Sequence, residues 1–98
     1  MPIDEHLLGA ANADSQLDLV LKLREIRKAN GVTVAEVAAA MDVDAAMIYR
    51  FEKGGTNFTA ATLRKYAKAA GALLRLDAVN ATSMSDLSTD HTSHRATI

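Results

Sequence analysis

Apolar residues return at helical spacing from Leu19 onward. Leu19, Val20, Leu23 and Ile26 share one side, Arg24, Glu25 and Lys28 the other, and Lys22 the border. This spacing predicts a helix over about 15–29, opening near Asp14–Ser15 and stopped by Asn30–Gly31. Residues 1–13 are weakly patterned, and IDEHLLGAA is compatible with a short helix. Thr33 then stands three residues before Glu36, the spacing of a capping box, ahead of the apolar positions Val37, Ala38 and Met41. That second helix ends at Asp42–Val43. Asp44 caps a third, which carries Ile48 and Phe51 inward and stops at Gly54–Gly55. After the loop GGTNFT, Thr59 caps a fourth helix with Leu63, Tyr66, Ala67 and Ala70 on its apolar side, ended by Gly71.

Beyond Gly71, Leu74 and Leu76 alternate with Arg75 and Asp77, the pattern of a strand. No second strand pattern exists in the chain, and a lone strand leaves its backbone groups unpaired. The segment is therefore either a fifth helix or a strand that pairs with its copy across a twofold axis. The second is preferred. From Asn80 onward the chain is polar and rich in Ser and Thr, which reads as a flexible tail. The organisation expected is an acidic segment over 1–14, a helical domain with a dimerisation segment over 15–79, and a tail over 80–98.

Ninety-eight residues fit one domain. Almost half are apolar, but much of that is alanine, so the core should be thin and helix-rich. Cysteine is absent, which removes disulfides, thiol catalysis and thiolate zinc sites. No run is long and apolar enough for a membrane span, and the acidic start lacks the basic region of a signal peptide, so a cytoplasmic protein is expected. The net charge of −1 hides a strong division. Residues 1–19 hold four acidic side chains and no Lys or Arg. Residues 20–75 hold ten basic against five acidic, and residues 76–98 hold three acidic against one basic. Phosphate binding responds to that local field, not to the sum.

The most informative feature is the pair of short helices between Thr33 and Gly54. Helices of about eight residues do not stand alone, so they need the first and fourth as a platform. Ala38 allows a close crossing, Val43 plugs the turn, and Ile48 anchors the third helix. In this arrangement one helix crosses a DNA backbone and the next lies in the major groove, with its N-terminal residues at base edges.

The stretch LREIRKANGVTVAEVAAAMDVDAAMIYRFEKGG, followed by TLRKYAKAAG, resembles the bacterial and phage repressor family typified by the lambda, 434 and Xre repressors, over about residues 17–71. The resemblance implies an all-α, lambda-repressor-like bundle of four to five short helices, to which the alternation after Gly71 adds the option of one C-terminal strand pairing across a dimer. FTAATLRKYAKAAGALLRLDAV further resembles HigA-type antitoxins, in which a similar fourth helix leads into a strand. By resemblance, Arg27 and Glu52 form an ion pair between the first and third helices, a structural clamp. Val34 departs from the family, which places Gln there to hold a phosphate. Thr33 and the adjacent backbone amides still suit that role.

Ala45 and Ala46 occupy the usual base-reading positions, with Met47 beside them. Neither alanine side chain forms a hydrogen bond. Each can touch a thymine methyl, which discriminates weakly. The polar readers are Arg50, suited to guanine, and Tyr49, suited to a phosphate or a thymine methyl or simply covering the platform. Lys53, Thr56 and Asn57 fit phosphate contacts, or else form a solvated loop. Arg64, Lys65 and Lys68 form a basic cluster on the fourth helix, read mainly as a solvated face. His91 and His94 have metal-compatible spacing but no third ligand nearby, so neither metal nor cofactor is expected. No catalytic constellation is evident, and the chain is not expected to be an enzyme. The expected function is a DNA-binding repressor acting on duplex DNA as a homodimer, favoured as an autoregulatory antitoxin with a toxin partner over a phage regulator. The rival is a protein-interaction module whose helix-turn-helix no longer reads DNA.

Overall fold

A computed structural model describes residues 4–54 and 57–82. Four helices follow one another: α1 (Glu5–Ala29), α2 (Val34–Met41), α3 (Ala45–Glu52) and α4 (Ala60–Ala70). No strand is present among the described residues.

The caps set these boundaries. Thr33, Asp44 and Thr59 each hold extended backbone and accept a hydrogen bond from the amide three residues on. At α2 the exchange is reciprocal. The Glu36 amide donates to Thr33 Oγ1 at 3.1 Å, and the Thr33 amide donates to Glu36 Oε1 at 2.9 Å. The turn into α3 is made by Asp42, whose φ of 57° is left-handed, and the Val43 amide closes it onto the Ala38 carbonyl at 3.0 Å.

α1 differs from expectation. It starts at Glu5, about ten residues before the periodic signal, because Asp4 caps it by accepting from the His6 and Leu7 amides. Apart from Gly9, the residues from Glu5 to Asp18 are polar, alanine or leucine with no β-branched side chain, and none of them is buried. They continue the helix without burying a face, which is why periodicity does not mark them.

The core is Val20 and Leu23 from α1, Val37 and Ala38 from α2, Ile48 and Phe51 from α3, and Leu63, Tyr66, Ala67 and Ala70 from α4. Tyr66, Ile48, Val20 and Val37 are its largest fully buried side chains. Phe51 packs at a tilt against the rings of Tyr66 and Phe58, with centroids 4.5 and 4.8 Å away.

Residues 72–80 form neither the fifth helix nor a strand within this chain. Ala72 and Leu74 lean on the core, while Leu73, Leu76 and Val79 stay 79, 64 and 50 % exposed. Leu74 and Leu76 therefore do not share one covered side, as strict alternation required. The expected strand needs a second chain to pair with. The tail beyond Thr82, with His91 and His94, lies outside the described residues, as do Gly55 and Thr56.

Candidate nucleic-acid interface

The third helix is held by a polar clamp as well as by its apolar side. Glu52, at its C-terminal end, is only 5 % exposed. Arg27 meets it as a fork: Nε donates to Oε2 at 2.7 Å and Nη2 to Oε1 at 3.1 Å. The remaining guanidinium nitrogen, Nη1, donates to the Val32 carbonyl at 2.8 Å, just ahead of α2. The Tyr66 hydroxyl donates to Glu52 from α4, and Arg24 stands at 3.7 Å on the solvent side. One carboxylate thus ties α3 to α1 and α4, and the guanidinium that holds it also reaches the entrance of α2. The hydrogen bonds to Glu52 raise the Arg27 pKa against the opposing effect of burial. Tyr66 is pushed above its ordinary value, first by burial and then by its bond to Glu52. No buried side-chain nitrogen or oxygen lacks a partner among the described residues.

With Ile48, Phe51 and Glu52 turned inward, the helical period sends Ala46 and Arg50 outward and Tyr49 to the flank, while Ala45, in line with Ile48 and Glu52, is left uncovered at the helix start; all four are exposed. Tyr49 is 55 % exposed and carries its ring on that outer side. The two alanines occupy the first turn of α3, and Lys53 is its exposed C-cap. Thr33, at the N-terminus of α2, is exposed and has its side chain engaged in the cap. Asn57 is exposed in the loop before α4, and Thr56 lies outside the described residues. Arg50 and Lys53 lie in no ion pair among the described residues, so both charges are available to a ligand.

Two side chains behave differently from the sequence reading. Val34 packs against the core, and Met47 is half-buried. The apolar patch that favoured a protein partner on this side therefore shrinks to Ala45 and Ala46. Two further participants carry no signal in the hydrophobic pattern. Tyr66 reads there as an apolar position, and its hydroxyl bond to Glu52 appears only once α3 and α4 are packed. Asn30 reads as a helix stop together with Gly31. Its side-chain amide in fact reaches across to the end of α4, donating to the Ala70 carbonyl at 3.0 Å.

A short helix lying across a platform and a second one presented outward with a basic, polar outer side define a DNA-binding helix-turn-helix domain. The helix-turn-helix family model matches residues 23–73, just over half of the chain. The chain belongs to that family, which includes the Xre- and lambda-type repressors. No curated protein and no solved structure matches it at a significant level. The chain is a DNA-binding transcription regulator, and no helix among the described residues is long and apolar enough to cross a membrane.

Proposed function

We propose that this regulator is a cytoplasmic repressor that binds its own promoter as a homodimer and serves as the antitoxin of a toxin–antitoxin pair. The observation that carries the repressor reading is the outward presentation of Arg50 and Tyr49 on a helix clamped from behind by Glu52. Two copies of α3 would enter successive major grooves, and the bound dimer would exclude polymerase. Arg50 supplies a bidentate contact to guanine worth about 1–3 kcal/mol of discrimination. Thr33, Lys53, Thr56 and Asn57 set register on the phosphates. The alanines Ala45 and Ala46 admit close approach and read little, so DNA shape and half-site spacing carry the rest of the specificity. The antitoxin reading is supported by the likeness of the α4 region to HigA-type antitoxins and by the acidic first turns of α1, which contain no buried residue and suit a basic toxin. A phage-type regulator is the second reading.

The test is a gel shift on the DNA upstream of the protein's own gene, repeated across salt. Binding should weaken steeply with salt. Arg50→Ala should lose roughly 5- to 150-fold, the equivalent of about 1–3 kcal/mol, on the specific site only. Lys53→Ala should weaken all sequences alike and reduce the salt slope by about 1. If that DNA competes no better than random duplex, the repressor reading fails. Co-purification with the product of the adjacent gene checks the antitoxin reading.

A further inference from the structure

The division of charge along the chain becomes a division in space. All four acidic residues of positions 1–19 belong to the Glu5–Asp18 part of α1 or its cap, where no residue is buried. At about 100° per residue, Leu7, Asp14, Asp18 and Leu21 fall in one stripe, opposite the Val20–Leu23–Arg27 line that enters the core. Leu7 and Leu21 are 66 and 40 % exposed. A stripe of two carboxylates flanked by exposed leucines is not accounted for by the packing of this chain.

A surface of matching chemistry lies elsewhere on the same molecule. Between the end of α2 and the middle of α4 runs a groove of about 510 Å³, lined by Ala40, Met41, Ala69 and the two lysines Lys65 and Lys68. No residue of α1 lines it. Both lysines are exposed, and among the described residues neither they nor Asp14 and Asp18 take part in an ion pair. The spacings also agree. Asp14 and Asp18 are four residues apart and Lys65 and Lys68 three, so each pair spans about one helical turn.

We propose that two copies of this chain pair by exchange, the acidic stripe of α1 in one protomer lying on the lysine-rimmed groove of the other. Asp14 and Asp18 face Lys65 and Lys68, and the neighbouring leucines cover the Met41–Ala69 floor. Because the exchange is mutual, it closes at two copies, and each contact holds the other at high local concentration. This inference rests on the reading of the regulator as a homodimer and names the surface that makes it one. An alternative pairing through Leu73, Leu76 and Val79 would be apolar and insensitive to moderate salt. An exchange of charged surfaces weakens as salt screens it.

The experiment measures the mass of the full chain in solution by sedimentation. Wild type should be dimeric, with dissociation becoming at least about tenfold easier between about 0.05 and about 0.5 M salt. Lys65→Glu with Lys68→Glu brings acidic stripe and acidic groove together. Asp14→Lys with Asp18→Lys does the converse. Each double variant alone should be monomeric with unchanged helical circular dichroism, since all four sites are exposed. Mixed in equal amounts, the two should form a heterodimer, because both contacts then pair opposite charges, one with the original polarity and one reversed. If the double variants stay dimeric, the proposed surface is wrong while the homodimer reading stands, whatever happens to DNA affinity. A wild-type chain that is monomeric at every concentration overturns both.

Discussion

At Glu52 a charge is tolerated in a thin core because both carboxylate oxygens accept hydrogen bonds, from Arg27 and from Tyr66. Removing Arg27 would leave that carboxylate buried and unpaired, which costs far more than the pair contributes in the intact protein. Arg27→Met should therefore destabilise the fold by about 3–5 kcal/mol in urea unfolding, and adding Glu52→Gln should recover much of the loss. If the double variant is as unstable as the single one, the penalty does not come from the orphaned charge. The Tyr66 hydroxyl sits in the same cluster and makes alkaline pH informative. Its folded pKa lies above the ordinary 10.0, through burial first and Glu52 second. The stabilisation is thus fully present below about pH 10 and declines as pH rises from there towards the folded value. Tyr66→Phe should remove that part of the alkaline decline in melting temperature while lowering stability at neutral pH. Equal slopes in wild type and variant above pH ~10 would assign the alkaline decline to other groups.

Among the elements, α2 depends most on its ends. Eight residues do not form a stable helix alone, and its two ends are made in different ways. Thr33→Ala should cost about 1 kcal/mol by chemical denaturation, and Thr33→Ser should restore it. The Glu36 carboxyl is held below its usual range by the Thr33 amide, then by the Thr33 hydroxyl. Its contribution is therefore present above the ordinary carboxylate pKa and lost as pH falls through the lowered one, so the hydroxyl-dependent part of the Thr33→Ala deficit should shrink in acid, while the bond from the residue 33 amide is common to both chains. At the other end Asp42 holds left-handed backbone, which a β-branched side chain resists. Asp42→Val should cost about 1–2 kcal/mol, and Asp42→Gly should be tolerated. These ends were legible in the sequence because capping is local: a Thr or Asp placed before an apolar period declares itself. The start of α1 was not legible, since a helix that buries nothing leaves no period to read. Residues 72–80 are neither helix nor strand in the single chain for a related reason. Alternation there signals a strand only where a neighbour exists to pair with, and the single chain offers none. The Arg27–Glu52 contact spans twenty-five positions and was accessible only through family resemblance. The part taken by Tyr66 required the packed helices. Which polar side chains remain outside on α3 followed from the period alone, once Ile48 and Phe51 were taken as its inner side.

For the whole molecule, the same fold keeps two tasks mechanically separate. The core lies between Val20 and Ala70 and supports α3 from behind, whereas the first turns of α1 rest on no core residue. Leu17 is where the two regimes meet. It lies over Gly54, whose left-handed backbone ends the third helix and where a Cβ would run into the leucine side chain. From Leu17 onward α1 is therefore part of the platform, and before it α1 is a projection. A chain beginning at Asp14 retains Leu17, the full core and the Glu52 clamp, and Asp14 or Ser15 can serve as the new cap. Its unfolding free energy should stay within about 1 kcal/mol of the full chain, since among the described residues no buried one is removed and only Leu8 and Ala11 are half-buried, while the helical circular dichroism falls by the turns deleted. Self-association should be lost in the same variant, because the carboxylate stripe loses Leu7 and has its remaining acids frayed at a new terminus. Denaturant unfolding and sedimentation read these two effects independently. A large loss of stability would mean that the first turns of α1 belong to the folding unit after all. Retained stability with unchanged mass would place the pairing of copies on another surface.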